Sequence, residues 1–435
     1  MNSVADAGLE LLFRRKLAPG SDGENIYTLC NELLSTLGEA SGTAIARKVI
    51  VAYEAMDAEA RCVFFEKLRR DFNVDAKTVL DAANAYAAQS DDASLAKLIR
   101  AVEPPRQELF RRLNMAPNGT ESLVRMRRDL LETLRDKPEL KAVDADLRHL
   151  FASWFNRGFL ALRRIDWETP AAVLEKLIEY ETVHEMRGWD DLRRRLAPDR
   201  RCFAFFHSAL PNDPLVFVEV ALVKGISGEI GPIISLDRVE SDPASADTAI
   251  FYSINNCHEG LRGITFGNFL IKQVVLELAR EFPQLKTYAT LSPVPGFRHW
   301  LSGASKPGAD PELLTDAEIE TLVLLGDSDW SADATKAEAL QPLLTRLIAH
   351  YLLHEKRGSE PLDPVARFHL RNGARLDRIN WLGDCSLERM RQSAGFLVNY
   401  VYDLKSIERN HEDYVKNHMV VASSAVTRLA QRKGK

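Results

Sequence analysis

The sequence predicts an α+β protein of two domains: an all-helical bundle over residues 1–196, then an α/β domain over 197–435 with a helical insertion at about 311–353. Three observations lead there. The chain has 435 residues, more than one ordinary core organises. From about Asn25 to Arg200 apolar residues recur every three or four positions. Beyond Pro198 the pattern changes to strand-length runs of Phe, Val and Ile broken by Pro and Gly.

In "ENIYTLCNELLSTLG" the residues Ile26, Leu29, Leu33 and Leu37 form one apolar face, and Gly38 ends it. "SGTAIARKVIVAYEAM", "DAEARCVFFEKLRRDF" and "DAKTVLDAANAYAAQ" repeat the period and open near Ser or Asp, residues suited to capping a helix start. "AVDADLRHLFASWFNRGFLALRRI" carries the same spacing and reads as one long helix. The aromatic pairs Phe64/Phe65 and Trp154/Phe155 fit helix packing, and the region's roles are support and assembly. In the second half, "RCFAFFHSALPNDPLVFVEVALVKG" and "DTAIFYSIN" read as strands, "NFLIKQVVLELAREF" as a helix and "LKTYATL" as a further strand. That order makes an α/β unit, in which ligands sit at the carboxyl ends of strands.

Composition excludes several classes. The 57 Lys and Arg against 62 Asp and Glu leave a net charge of -5, with no basic excess for nucleic acid or an anionic membrane. No apolar run approaches the ~20 residues of a membrane span. The start carries acids and lacks the apolar core of a secretory signal, and the end, "QRKGK", is not a peroxisomal address, so the expected location is cytoplasmic. Cys30, Cys62, Cys202, Cys257 and Cys385 are odd in number, scattered and without CxxC spacing, as in a reduced protein without a zinc site.

Local pattern offers a few groups able to do chemistry. In "HEGLRGITFGNFLIKQVV" Gly260, Gly263 and Gly267 lie between a strand and a helix, where free backbone N–H groups can hold a phosphate or merely mark a turn. Ser292, in "TLSPVPGFRHWL", is held by Pro293 and Pro295 just after a strand, a position that favours ligand contact, but taken alone it reads as a turn residue. His350 and His354 are four apart on a helix but lack a third ligand. His369 falls near the end of a short helix that starts at Asp363-Pro364 and stops at Asn372-Gly373; by itself it reads as a structural histidine, although its near-neutral pKa also suits proton transfer. His207, His258 and His299 are its rivals.

Five stretches together resemble the malonyl-CoA decarboxylase family: "FFHSALPNDPLVFVEVAL", "AIFYSINNCHEGLRGITFGNFLIKQVV", "EFPQLKTYATLSPVPGFRHWL", "DPVARFHLRNGA" and "NYVYDL". They occur in the expected order across the second half of the chain. The resemblance implies a carboxyl-terminal catalytic domain similar to the Gcn5-related N-acetyltransferase (GNAT) fold, and conversion of malonyl-CoA to acetyl-CoA and CO2 with no metal, biotin or other cofactor. It implies a CoA pyrophosphate loop of the form R/Q-x-x-G-x-G/A. Here Arg262, Thr265 and Gly267 occupy that frame, with Thr265 in place of the first glycine. CoA contacts are therefore expected from Arg262, Gly263, Ile264, Thr265, Phe266, Gly267 and Asn268. The implied catalytic pair is Ser292 and His369. Tyr402 matches a tyrosine lining the family's site, and Ser253 and Asn255 are further expected contacts at the strand end before the loop. A homotetramer, a dimer of dimers, is also implied. The alternatives are a CoA-dependent N-acyltransferase on the same fold and a non-catalytic acyl-CoA sensor.

Overall fold

The computed structural model describes residues 25–36, 38–237, 239–264, 270–306 and 313–431. The chain divides into two compact units, Met1–Trp154 with Glu259–Ile264, and Phe155–His258 with Thr265–Lys435.

The first unit is helical: α1 Ile26–Ser35, α2 Glu39–Glu54, α3 Ala58–Asp71, α4 Ala76–Ala88, α5 Asp92–Val102, α6 Pro105–Asn114, α7 Gly119–Thr133 and α8 Lys141–Trp154. The Asp starts expected at 57 and 75 are in place, whereas α2 begins before Ser41, on Gly38, which offers no side chain to cap it. Asn25, Asp57, Asp75 and Asp91 each accept a hydrogen bond from a free first-turn N–H. Ile26, Leu29 and Leu33 turn inward as their spacing predicts, while Leu37 lies outside the described residues. Phe64, Phe65, Leu109, Phe110 and Phe151 are completely buried. Burying one such ring contributes roughly 1.5–3 kcal/mol. The α4–α5 hairpin differs, because none of its helical residues is buried and Leu80 and Ile99 stand 60% and 58% exposed.

Residues 259–264 close this unit. The buried Arg127 of α7 pairs with Asp144 at 2.8 Å and donates to the carbonyls of Gly260, at 2.7 Å, and Arg262, at 3.0 Å. Gly260 has to be glycine here, since a Cβ would stand 1.9 Å from the Val124 carbonyl oxygen.

The second unit is built on an eight-stranded mixed sheet. Its elements are β1 Leu160–Ile165, α9 Ala171–Tyr180, α10 Trp189–Arg195, β2 Arg200–His207, β3 Val216–Val223, β4 Thr248–Asn256, α11 Leu270–Glu281, β5 Thr287–Thr290 and β6 Ser292–Pro293. Then come α12 Phe297–Ala304, α13 Asp316–Leu322, α14 Ala334–Leu353, the small hairpin β7 Lys356–Arg357 and β8 Glu360–Pro361, α15 Pro364–Arg371 and β9 Arg375–Asn380. The chain closes with α16 Leu387–Ser393, β10 Leu397–Val401, α17 Ile407–Asn417 and α18 Ser424–Leu429. The strand order is β1-β2-β3-β4-β5-β10-β6, with β9 on β10. Neighbours run antiparallel except β4 and β5, which are parallel, so the sheet is mixed.

Two readings change. The expected long helix through residue 165 stops at Trp154; Asn156 turns the chain by accepting the Gly158 N–H, and residues 160–165 pair with β2 as an edge strand. Strand pairing overrides the local helical spacing. The units therefore part at Trp154/Phe155 rather than at 196/197, because Leu174, Leu177 and Leu192 of α9 and α10 pack on Cys202, Ala204, Phe206 and Phe217 of the sheet.

One irregularity sets the later chemistry. Glu219 pairs with Ser253 and Val220 with Phe251, which leaves Tyr252 as an extra residue on β4. Such a bulge breaks the alternation of side chains along the strand. The parallel pairing of β4 and β5 ends at Phe251 and Thr290, with a last bond from Leu291 N–H to Phe251 O at 2.9 Å.

Candidate active site

Where β5 passes into β6, Thr290 and Ser292 are two residues apart and so face the same way. Ser292 is held by its register with Val398 of β10. On β10 and just beyond it, Tyr400 and Tyr402 alternate in the same manner. The third component is α15. Asp363 caps it by accepting the N–H groups of Val365 and Ala366 at 2.9 and 2.8 Å, and Pro364 fits the first turn, where an N–H is not needed. Gly373 stops it at φ +83°, and a Cβ there would meet the Ile407 carbonyl oxygen at 2.0 Å. The helix buries Ala366, His369 and Leu370.

These three elements bring Ser292, His369 and Tyr402 together. His369 Nε2 lies 2.9 Å from Ser292 Oγ, and its Nδ1 lies 2.8 Å from the Tyr402 hydroxyl. Its ring stacks on Tyr400, centroids 4.6 Å apart. Ser292 Oγ is also 2.8 Å from Thr290 Oγ1. The residues are almost sealed: Ser292 is 5% exposed, His369 3% and Tyr402 1%. Burial penalises the charged forms, so the His369 pKa is pushed down to about 3 and the Tyr402 hydroxyl is raised well above its ordinary value. At neutral pH the site is therefore an uncharged chain of hydroxyl, imidazole and phenol. Asp363, the cap of α15, is pushed up to about 6 by burial, partly offset by the N–H groups it accepts.

The other expected contacts fall elsewhere. Ser253 and Asn255 are buried with their side chains on Glu181: Ser253 Oγ donates at 2.6 Å and Asn255 Nδ2 at 2.9 Å. The bulge at Tyr252 explains this. Without it Ser253 would share the face of Phe251, whose ring lies 6.4 Å from that of Tyr402. Arg262 is exposed beside Glu259 at 3.2 Å, Gly263 has φ +77°, and Ile264 is buried. Thr265, Phe266, Gly267 and Asn268 lie outside the described residues. It is His369, rather than His207, His258 or His299, that bonds Ser292. The rings of His350 and His354 are 5.1 Å apart, and among the described residues no group of three His, Cys, Asp or Glu is arranged to hold a metal. Thr290 and Tyr400 were not singled out from the sequence. Their signal is the alternation in "TLS" and "YVY", which shows only once the strands are known.

Buried at the end of a mixed sheet, this set of neutral donors and acceptors is able to pass a proton along its length. Comparison with known proteins gives the family. The chain matches the malonyl-CoA decarboxylase C-terminal domain over residues 158–435 and the N-terminal domain over residues 72–155. It is 38% identical to the mitochondrial malonyl-CoA decarboxylase of Anser anser anser over 82% of this chain and 77% of that one. It is 36% identical to the enzyme of the same name from Rattus norvegicus, over 86% and 82%. The crystal structure of malonyl-CoA decarboxylase from Rhodopseudomonas palustris superposes with a TM-score of 0.90 at 49% identity, covering 94% of this chain and all of that one. The Agrobacterium vitis structure gives 0.89 at 51%, with the same coverage. The chain belongs to the malonyl-CoA decarboxylase family.

Proposed function

We propose that this chain converts malonyl-CoA to acetyl-CoA and CO2, and that Ser292, His369 and Tyr402 carry the proton. The observation that supports this is the unbroken Ser292–His369–Tyr402 hydrogen-bonded chain. Cleaving the bond between C2 and the carboxylate leaves an electron pair that the thioester carbonyl accepts as an enolate, so the substrate supplies its own electron sink and no cofactor is required. Ser292 hydrogen-bonds the malonyl group. His369 gives its Nε2 proton to C2, directly or through the Ser292 hydroxyl, and takes the Tyr402 proton at Nδ1. The phenolate left behind is reprotonated from water. A neutral imidazole serves here because it donates at one nitrogen while accepting at the other.

The CoA pyrophosphate is assigned to the stretch Arg262–Asn268, a reading supported by the exposed Arg262 guanidinium. A homotetramer assembled through the helical unit is supported by the α4–α5 hairpin, which leaves Leu80 and Ile99 in solvent. A reducing cytoplasmic location is supported by the five free cysteines, Cys385 among them exposed; the goose and rat relatives are named mitochondrial.

The deciding experiment incubates the purified protein with malonyl-CoA alone. Acetyl-CoA and CO2 form in equal amounts if the proposal holds. Product that appears only with an added amine identifies an N-acyltransferase instead, and binding without turnover identifies a sensor.

A further inference from the structure

One buried hydroxyl at the site has no part in the reaction just described. Thr290 is fully buried, with its Oγ1 2.8 Å from Ser292 Oγ and 3.1 Å from the backbone nitrogen of Tyr400. An amide N–H can only donate, so Thr290 Oγ1 is an acceptor on that side.

The other end of the chain fixes the direction of the remaining hydrogens. Tyr402 keeps its proton because burial opposes the phenolate, and His369 Nδ1 is the partner 2.8 Å away. The phenol is the most acidic hydroxyl of the chain and therefore the strongest donor to a ring nitrogen, so it donates to Nδ1. A neutral imidazole with Nδ1 accepting carries its single hydrogen on Nε2. That hydrogen points at Ser292 Oγ, 2.9 Å away. Ser292 accepts there and has to send its own hydrogen elsewhere, and Thr290 Oγ1 is in reach.

We propose that Thr290 is a positioning residue: by accepting the hydrogen bond of Ser292 it fixes His369 as the Nε2–H tautomer, with Tyr402 behind it as the proton reserve. The catalytic meaning of this assignment rests on the decarboxylase reading, whereas the tautomer does not. If the Thr290 hydroxyl is removed, the Ser292 hydrogen turns to Nε2 and the imidazole hydrogen moves to Nδ1, where it confronts the phenol. His369 then faces the substrate as an acceptor, the wrong sense for delivering a proton to C2.

The test is nitrogen-15 NMR of histidine-labelled protein, with the His369 ring signals assigned by their loss in His369→Asn. The expected result is Nε2–H in the wild type and in Thr290→Ser, and Nδ1–H in Thr290→Val. On the same proteins kcat for malonyl-CoA falls by roughly 10–100-fold in Thr290→Val while KM stays within about twofold, and Thr290→Ser keeps kcat within about threefold. An Nδ1–H tautomer in the wild type overturns the proposal without any variant having to fold. Thr290→Val with an unchanged tautomer and kcat, even if it melts earlier, also overturns it by reducing Thr290 to a packing residue. A wild type that shows Nε2–H but makes no acetyl-CoA removes the decarboxylase reading and leaves the tautomer standing.

Discussion

Two of the places where the sheet buries polar groups are built on opposite plans. Around β3 and β4 the groups are acids and a guanidinium: Arg195 pairs with Glu219 at 2.6 Å, burial pushes the Glu219 carboxyl up to about 8, and Glu181 accepts from Ser253, Asn255 and the N–H groups of Val183 and His184. Around β5 and β10 the groups are neutral: Thr290, Ser292, His369 and Tyr402 are joined only by hydroxyl and imidazole hydrogens. There a proton taken up or released by Glu219 changes the charge facing the buried Arg195 guanidinium, and leaving that cation without its partner costs several kcal/mol. In the neutral chain a concerted shift of hydrogens can pass a proton from Tyr402 through His369 and leave the imidazole between them uncharged. Both places are buried, and they differ in whether their hydrogens can move; the proposed site is the one where they can.

That contrast can be broken experimentally. The largest effect is expected from Ser292→Ala and His369→Asn, each lowering kcat about 100- to 10,000-fold in a steady-state acetyl-CoA assay with little change in CoA affinity. Near-normal turnover in either variant removes that residue from the relay. Glu219→Gln strips Arg195 of its buried partner and should cost about 3–5 kcal/mol in urea unfolding, with kcat per folded molecule unchanged. A fall in kcat at full stability would put chemistry in the charged cluster. Ser253→Ala leaves one lone pair of Glu181 unmet and should cost about 1–3 kcal/mol without raising KM. A raised KM at full stability would return Ser253 to the CoA site.

The smallest effect is on the pH profile. With the His369 pKa pushed down to about 3 by burial, kcat/KM should show no acidic limb near the ordinary imidazole value of 6.5. Stability behaves differently. Between pH 6.5 and about 3 the unfolded imidazoles bind protons that the buried His369 and His184, also held near 3 by burial and Arg195, do not. Stability is therefore complete above pH 6.5 and is lost as the pH falls, which thermal melts across that range would register.

Much of this organisation could be read before any coordinates. The short helix of His369 was legible because its stops are chemical: an Asp-Pro start and an Asn-Gly end fix backbone geometry wherever they occur. The apolar faces of the helical unit were legible for the same local reason. The edge strand 160–165 was not, because its pairing with β2 depends on residues some forty positions away, as Leu160 opposite His207 shows. Ser253 illustrates a subtler limit. Its place next to the CoA loop in sequence suggested a ligand contact, yet one extra residue, Tyr252, turns it toward Glu181, and nothing in "IFYSIN" announces a bulge. Thr290 escaped notice because a threonine in a strand looks like ordinary β propensity until its partner across the sheet is known.

The tether made by Arg127 bears on how the molecule comes into being on the ribosome. Two of the three acceptors of this buried guanidinium, the carbonyls of Gly260 and Arg262, are contributed 133 and 135 residues later in synthesis. The helical unit emerges first, but it cannot close around Arg127 until residue 262 has left the exit tunnel. A fragment ending at Trp154 is left holding a half-satisfied cation in its interior, so the amino-terminal half should be a waiting intermediate rather than an independently folding domain.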